Sequence, residues 1–300
     1  MIRLVVLSFL VITAANFSVY AQDYEAVSGY VFLDSVLVLA SKDGFKEEDF
    51  IQWMEEDTSL YSAFRRLRRM EYTFSTRWEG AYIRGKKPAY YYALCKQNIS
   101  ASCRSMDVIE EDLDGPVYRR NGQVRYYTLA LLMDLFFTRD TVCSGQSFAS
   151  FSHATGNRSD QLKELIFNPG SGKGIPFIGR KLEIFGKRLQ PWYRYAWQET
   201  SINGMLCYVF AIQLDDAAPE DKAIVQSMKT YFRKSDHQVV YRSYHLKQSG
   251  LINFDTKIQI KVTSDINGQY YPLDISYDGY WNFPGKRGES GTFNLHFSGN

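Results

Sequence analysis

Apolar and polar residues alternate in short runs through the last third of the chain, residues 191–297. Turn-forming pairs such as Asn203-Gly204 and Asn267-Gly268 separate several of these runs. Period-two alternation rich in aromatic and β-branched residues is typical of antiparallel strands, and Asn-Gly is typical of hairpin turns. The pattern therefore predicts a β-meander over residues 191–300. Its strands are predicted at 191–197, 205–212, 230–233, 238–246, 254–262, 270–277 and 292–297.

A different periodicity appears in the part before the meander, residues 22–190. Apolar residues recur every three or four positions at 46–69 and again at 124–138, which predicts two amphipathic helices. Acidic residues stand near the start of the first helix, and an arginine cluster stands at its end. This order complements the helix dipole, and a solvated helix end is preferred over contact with phospholipid headgroups. The part before residue 191 is therefore predicted to mix helices and strands.

Short alternating runs in the same part predict additional strands at 71–78, 89–95 and 103–109. The carboxylates of residues 110–116 lack the regular spacing of a calcium loop, and they predict a solvated loop. Residues 139–188 are rich in Gly, Ser and Asn, which predicts an irregular connector with one or two short elements.

The meander needs a second layer, because an antiparallel sheet with one apolar face must bury that face. In the run 205–214 both phases are apolar, so this strand is predicted to be covered on both sides. The two helices are the candidates for the covering layer. We therefore predict an α+β fold in which a large, curved antiparallel sheet packs against two or more helices.

The first 21 residues have the pattern of a secretory signal peptide, with Arg3, an apolar core at 4–15 and a small-x-small site before Gln22. The apolar core is short for a membrane span. A buried N-terminal helix or an uncleaved anchor is the alternative interpretation. No lipobox Cys follows the core, so a lipoprotein anchor is not indicated. We expect export to the periplasm or the outer-membrane periphery, with no transmembrane span in the mature chain.

The composition limits the classes of partner. A net charge of +2 argues against a nucleic-acid binder, and 22 Tyr and 20 Phe supply a sizeable core. Export makes the four Cys candidate disulfide partners, with three connectivities open. The short loop between Cys95 and Cys103 favours that pair, which leaves Cys143 and Cys207. Buried free thiols are the alternative. No metal-ligand spacing is present, and neither a metal nor a cofactor is predicted.

Motifs that resemble catalytic signatures fail on their details. The Gly-rich run 170–174 lacks the Ser or Thr and the preceding strand of a phosphate loop. Ser147 stands in a run similar to a nucleophile elbow, with His153 nearby, but Ala149 replaces the final Gly. A serine hydrolase is therefore the third hypothesis, and the chain is predicted not to be an enzyme.

The order of features in residues 193–297 resembles the LolA/LolB-like half-barrel family of periplasmic lipoprotein carriers. The matching segments are 203–210, 231–236, 239–242, 271–275 and 291–297. The resemblance covers about a third of the chain, and the stretch before Arg188 is longer than in that family. It implies a half-barrel-like sheet wrapped over helices, with an apolar pocket between the two layers.

Three functions follow in order of preference, each in the bacterial envelope. The first is non-enzymatic binding of a hydrophobic ligand, a lipid or a lipoprotein acyl chain. The second is an interaction module that docks a protein partner through a sheet edge and the 139–188 connector. The hydrolase is the third. Simple core packing is the alternative reading of the aromatic residues. The predicted ligand-binding residues are Tyr193, Tyr195, Trp197, Tyr208, Phe210, Phe293 and Phe297 on the sheet, with Phe64, Leu132 and Phe136 on the helices.

Overall fold

A computed structural model describes the chain over most of its length. The described residues are 45–85, 87–143, 179–219, 221–250, 252–282 and 284–299. The predicted signal peptide, Ser147, His153 and most of the 139–188 connector lie outside these ranges.

Eleven strands form one antiparallel sheet in the described part of the chain. Its order is β4-β3-β2-β1-β11-β10-β9-β8-β7-β6-β5, so two meanders meet where β1 pairs with β11. The predicted α+β fold, a large half-barrel-like antiparallel sheet packed against helices, is confirmed. The strands are β1 Tyr72–Tyr82, β2 Ala89–Ser100, β3 Cys103–Asp114, β4 Val142–Cys143, β5 Tyr193–Ile202, β6 Met205–Leu214, β7 Val225–Arg233, β8 Val239–Gln248, β9 Asn253–Ser264, β10 Tyr270–Asn282 and β11 Glu289–Gly299.

Three α-helices lie among the described residues: α1 Glu47–Glu56, α2 Ser59–Leu67 and α3 Tyr127–Phe136. The prediction of one continuous helix over 46–69 is wrong, because Asp57 is extended with φ −61° and ψ 114°. The Asp57 carboxylate accepts a hydrogen bond from the backbone N–H of Ser59 at 2.8 Å. Such local side-chain bonds compete with the helix and favour a break.

The acidic stretch 110–116 is the second correction. It was predicted to be a loop, but β3 continues through it to Asp114, which lies opposite Tyr90 of β2. Residues 107–114 are exposed, because β3 lies near the end of the sheet order. Carboxylates on such a strand stay hydrated, and they discourage pairing with acidic or uncharged strands of other chains.

The helices cover one face of the sheet, and glycines on that face leave room for a large ring. Gly80, Gly291 and Gly279 lie directly opposite one another on β1, β11 and β10. A Cβ at Gly80 would lie 2.2 Å from Cζ2 of Trp78, so only glycine leaves the fully buried indole its place. The core is therefore shaped by close approach as well as by apolar content.

The opposite face of the sheet is apolar over β6 to β8. Cys207, Val209 and Tyr231 are fully buried there, and Val240 and Tyr241 pack with them in a cluster separate from the main core. The prediction that the 205–214 strand is covered on both sides is confirmed for residues 207–212, all of which are buried.

A disulfide joins Cys103 to Cys143 and ties β4 to the start of β3. The prediction of at least one disulfide is confirmed, but the favoured Cys95–Cys103 pairing is wrong. Cys95 lies on the buried face of β2 opposite Phe74, whereas Cys103 lies beyond the β2–β3 turn. Cys95 and Cys207 are buried free thiols. Burial raises the pKa of Cys95 to about 12 and that of Cys207 to about 11, so both stay protonated.

Candidate ligand-binding site

A row of apolar and aromatic side chains crosses the helix-covered face from β2 to β5. Residues directly opposite each other in an antiparallel sheet project from the same face. The members of this row, in order from β2 to β5, are Tyr91, Trp78, Phe293, Tyr277, Ile258, Tyr244, Met228, Ile212 and Tyr195. All except Tyr195 are buried. We call this set the aromatic row.

Helix α1 covers the β5–β6 end of this face through one fully buried ring. Phe50 stacks on Phe210 of β6 with 5.5 Å between ring centroids and on Trp197 of β5 with 5.0 Å. Its ring also meets Tyr208 edge-on at 5.7 Å. Tyr195 also stacks on Phe210, with 5.9 Å between ring centroids. Four of the predicted ligand-binding residues therefore lie in one packed group under α1.

Helix α3 covers the opposite end of the face, over β1 and β11. The ring centroid of Phe136 lies 6.0 Å from that of Phe297, and the ring centroid of Phe64 of α2 lies 6.5 Å from that of Phe136. Leu132 is fully buried in the same helix. Phe293 stacks on Tyr277 of β10 at 4.8 Å. The predicted residues of α2, α3 and β11 thus form a second group, separated from the first by β7 to β10.

Tyr193 completes the predicted set at the β5 edge. Its hydroxyl donates a 2.7 Å hydrogen bond to the backbone carbonyl of Val225. The structure therefore places all ten predicted residues in one main core, in contact with other core residues. Whether a ligand contacts them stays a prediction.

Sequence reasoning missed a buried cation in the middle of the sheet. Arg242 of β8 lies 3.0 Å from the carboxylate of Asp57, and these two side chains are 2% and 6% exposed. Its Nε also donates to Thr230 Oγ1 at 3.1 Å. The signal was available, because Arg242 shares the strand phase of Tyr244 and Leu246, which are both buried. This ion pair fixes the break between α1 and α2 to the sheet.

Glu289 is the corresponding anion at the other end. It is 3% exposed and its two carboxylate oxygens accept the backbone N–H groups of Tyr127 and Thr128, at the start of α3. Burial raises the pKa of the Glu289 carboxyl, and those hydrogen bonds oppose the rise without cancelling it. A negative charge at a helix N-terminus satisfies backbone donors that lack a helical partner.

A buried amide joins the ends of two helices to the same sheet. Gln97 Nε2 of β2 donates to the carbonyls of Leu67 and Met70 at 2.6 and 2.9 Å. Its Oε1 accepts from Thr138 Oγ1 at 3.3 Å. Arg242, Glu289 and Gln97 are thus polar sheet residues that bind the helical layer, while apolar contacts supply much of the remaining interface.

Two open cavities flank Ser62 on α2. The first, about 320 Å³ in volume, lies over the α1–α2 break, where the imidazole of His237 stacks on Trp53 at 4.1 Å. The second is about 410 Å³ and lies at the C-terminal end of α2. We call the second one the arginine cavity. Its lining residues are Ser62, Arg65, Arg66, Arg69, Met70 and Gln269.

The other histidines of the described part lie on strands beside carboxylates. His245 is 2.6 Å from Asp255, and His296 is 2.6 Å from Asp274. Within the described ranges no group of three or more His, Cys, Asp and Glu side chains is placed to hold a metal ion. None of the helices described is long and apolar enough to cross a membrane.

Comparison with known proteins gives low-identity structural matches. No protein family and no curated protein sequence matches the chain. A domain described as an outer membrane lipoprotein-sorting protein from Vibrio parahaemolyticus is 9% identical with a TM-score of 0.27, over 82% of this chain and 93% of that one. A DUF1329 family protein from Desulfovibrio piger is 11% identical with a TM-score of 0.25, and the match covers 83% of this chain and 90% of that one. A LolA superfamily protein from Nitrosomonas europaea is 11% identical with a TM-score of 0.23, and the match covers 80% of this chain and 90% of that one.

Of the three matches named above, the Nitrosomonas europaea protein is described with the superfamily that the C-terminal third of the sequence resembles. Their scores and identities are low, so they carry no argument about function. The half-barrel-like character of the fold is defined by the strand order and by the helices on one face of the sheet.

Proposed function

We propose that this chain is an exported, non-enzymatic carrier that binds a hydrophobic ligand, a lipid or a lipoprotein acyl chain, in the bacterial envelope. The observation that supports this function most is the aromatic row. It runs across nine strands of the sheet as a continuous apolar surface under a layer of short helices. Ring faces accept methylene chains, and a long apolar surface beneath a separable layer suits an extended acyl chain.

The backbone pairing of the sheet leaves room for a ligand to enter between the two layers away from the anchors at Arg242, Gln97 and Glu289. The sheet completes its backbone hydrogen bonds between strands, so a helix can move without breaking a strand pair. In the described arrangement the rings under α1 pack against one another. We expect a bound acyl chain to replace part of these ring contacts as α1 or α3 shifts outward.

A second candidate function is docking of a protein partner along β3. This strand pairs with β2 along its length, and its other edge pairs with β4 only at Cys103 and Arg104 among the described residues. Val108 and Ile109 are more than half exposed on this strand. A free strand edge of this kind can accept an added strand from another protein.

The carrier function is tested by ligand recovery and by substitution of one ring. We expect native mass spectrometry of the purified chain to show bound lipid, and a fluorescent fatty acid to bind the delipidated chain. Phe210→Ala removes a ring that packs against Phe50 and Tyr195, so it should lower the free energy of unfolding by about 3–5 kcal/mol and weaken fatty-acid binding.

Leu206→Ala is the matched control, because Leu206 lies on the same strand with 62% of its surface exposed. It should leave both quantities nearly unchanged. A wild-type chain that neither carries lipid nor binds the fatty acid would overturn the carrier proposal. The same loss of stability in Phe210→Ala would then mean that these rings are core alone.

A further inference from the structure

The arginine cavity is a positively charged opening beside the apolar interior. Arg65, Arg66 and Arg69 line it, and among the residues that the structure describes no carboxylate side chain does. Met70 lines the same cavity, and its backbone carbonyl is bound to the buried amide of Gln97. A ligand in this cavity would therefore lie next to the place where α2 ends against the sheet.

The walls of the cavity are held in place before any ligand arrives. Arg66 binds the Asp265 carboxylate at 2.5 Å, which joins α2 to the turn between β9 and β10. The same carboxylate accepts the backbone N–H of Gln269 at 2.9 Å. The Asp265 carboxylate thus fixes both the Arg66 guanidinium and the backbone of Gln269, two of the lining residues. Preorganised donors lose less entropy when they bind an anion.

Arg66 also has a donor that its ion pair does not use. Its Nε is buried and has no hydrogen-bond partner among the described residues, whereas its Nη2 donates to Asp265. Because this Nε is buried, the donors of Arg66 that a ligand could reach belong to the partly exposed remainder of its side chain.

The alternative is that these arginines serve α2 alone. Basic residues near a helix C-terminus interact favourably with its dipole. That role explains Arg65 and Arg66 in the last turn, but it does not require a cavity between them and Gln269. Several guanidinium groups around one opening match an oxyanion with several acceptor oxygens, since each guanidinium presents a planar fork of donors.

We propose that the arginine cavity binds a phosphate group, with the phosphoester of a lipid headgroup as its source. This assignment rests on the proposed function in one respect: the acyl chains of that lipid would lie between the helices and the aromatic row. The phosphate subsite itself depends only on the arginine cavity, so the two ideas can be tested separately.

The test is calorimetric titration of the full chain with three soluble probes. These are dihexanoyl phosphatidylglycerol, the uncharged dihexanoylglycerol, and glycerol phosphate without acyl chains. The variant carries Arg65→Gln and Arg69→Gln, both at exposed positions. The matched control carries Arg119→Gln and Arg120→Gln, which remove the same charge from exposed positions in the loop after β3.

We expect the wild type and the control to bind the phosphatidylglycerol at least about tenfold more tightly than dihexanoylglycerol. The cavity variant should lose this preference and retain its affinity for the uncharged lipid. Glycerol phosphate should bind weakly to the wild type and not to the cavity variant. Higher salt should weaken the charged probes alone.

Equal affinity of the wild type for the charged and uncharged lipids would overturn the subsite. So would an unchanged preference in the cavity variant, or an equal loss in the control. A third outcome is that glycerol phosphate binds the wild type but not the cavity variant, and that neither lipid binds the wild type more tightly than glycerol phosphate does. In that case the ligand is a free phosphate and not a lipid. The carrier function then fails while the phosphate site stands.

Discussion

The α1–α2 pair and α3 lie on the same face of the sheet, but buried charges of opposite sign hold them there. At the α1–α2 break, the sheet supplies a cation, Arg242, to the carboxylate of Asp57. At the start of α3, the sheet supplies an anion, Glu289, to backbone N–H groups. In both places the charge meets the point where a helix breaks or begins. The difference is that Arg242 and Asp57 must each lose hydration, whereas Glu289 alone pays that cost.

The largest expected effect comes from breaking the ion pair. Arg242→Met leaves the Asp57 carboxylate buried without its cation, which should lower the free energy of unfolding by about 3–5 kcal/mol. Urea denaturation of the wild type and variant measures this change. Adding Asp57→Asn to Arg242→Met should recover part of the loss. If the double variant is no more stable than Arg242→Met alone, the uncompensated charge is not the cause.

The second-largest expected effect comes from removing the Cys103–Cys143 disulfide, which holds the segment that follows α3. Cys103→Ser with Cys143→Ser removes a crosslink between residues 40 positions apart, and should cost about 2–4 kcal/mol. The parent chain, denatured without reductant, should show two reactive thiols, Cys95 and Cys207. Four reactive thiols would mean that this disulfide does not form. If the disulfide variant loses stability only in α3 and its neighbouring strands, the anchor at Glu289 and the anchor at Arg242 act independently.

The smallest effect is a change in how stability depends on pH. Because the pKa of Glu289 is raised above its ordinary value of 4.5, the folded chain holds this proton at a pH where the unfolded chain has released it. The contribution of Glu289 to stability therefore falls as pH rises from the ordinary pKa through the folded pKa, and is constant above it. Glu289→Gln removes this titration, with a change on the order of 1 kcal/mol.

Stability curves of the wild type and Glu289→Gln, measured at several pH values, test the sign. The wild type should lose stability relative to the variant as pH rises through that window. A relative gain would mean that the hydrogen bonds from the start of α3 outweigh the cost of burial. The start of α3 would then bind the Glu289 carboxylate more favourably than the comparison with the Arg242–Asp57 ion pair indicates.

Alternation predicted the sheet well because many of its strands bury one face more than the other. Each of the seven runs of the meander overlaps a strand, 191–197 only from Tyr193 onward, and 89–95 and 103–109 lie within β2 and β3. The failures arose where a long-range contact decides the local structure. The break at Asp57 has a local part, the hydrogen bond from Ser59, and a distant part, the ion pair with Arg242, which is 185 positions away and outside any window around residue 57. The pairing of Cys103 depends in the same way on where β4 meets the edge of the sheet.

The placement of the aromatic residues in the core could be predicted from the sequence, and the placement of the charged residues could not. The rings under α1 and α3 follow from strand phase and helix periodicity, and all of them lie in the core. The arginine cavity depends on the turn at Asp265, which brings Gln269 opposite the end of α2. Residue order along the chain shows the basic cluster, but it does not show which acceptor or opening the cluster faces.

The junction of β1 and β11 has a consequence for the order of folding. Thr73 accepts a hydrogen bond from Ser298, which is 225 positions later in the chain. The first meander therefore keeps an incomplete edge until the last strand has been synthesised. Contacts between such distant segments form slowly, because loop closure costs entropy before any contact is gained. A chain truncated before β11 should keep both meanders as separate sheets with exposed edges, and would be prone to aggregate through them.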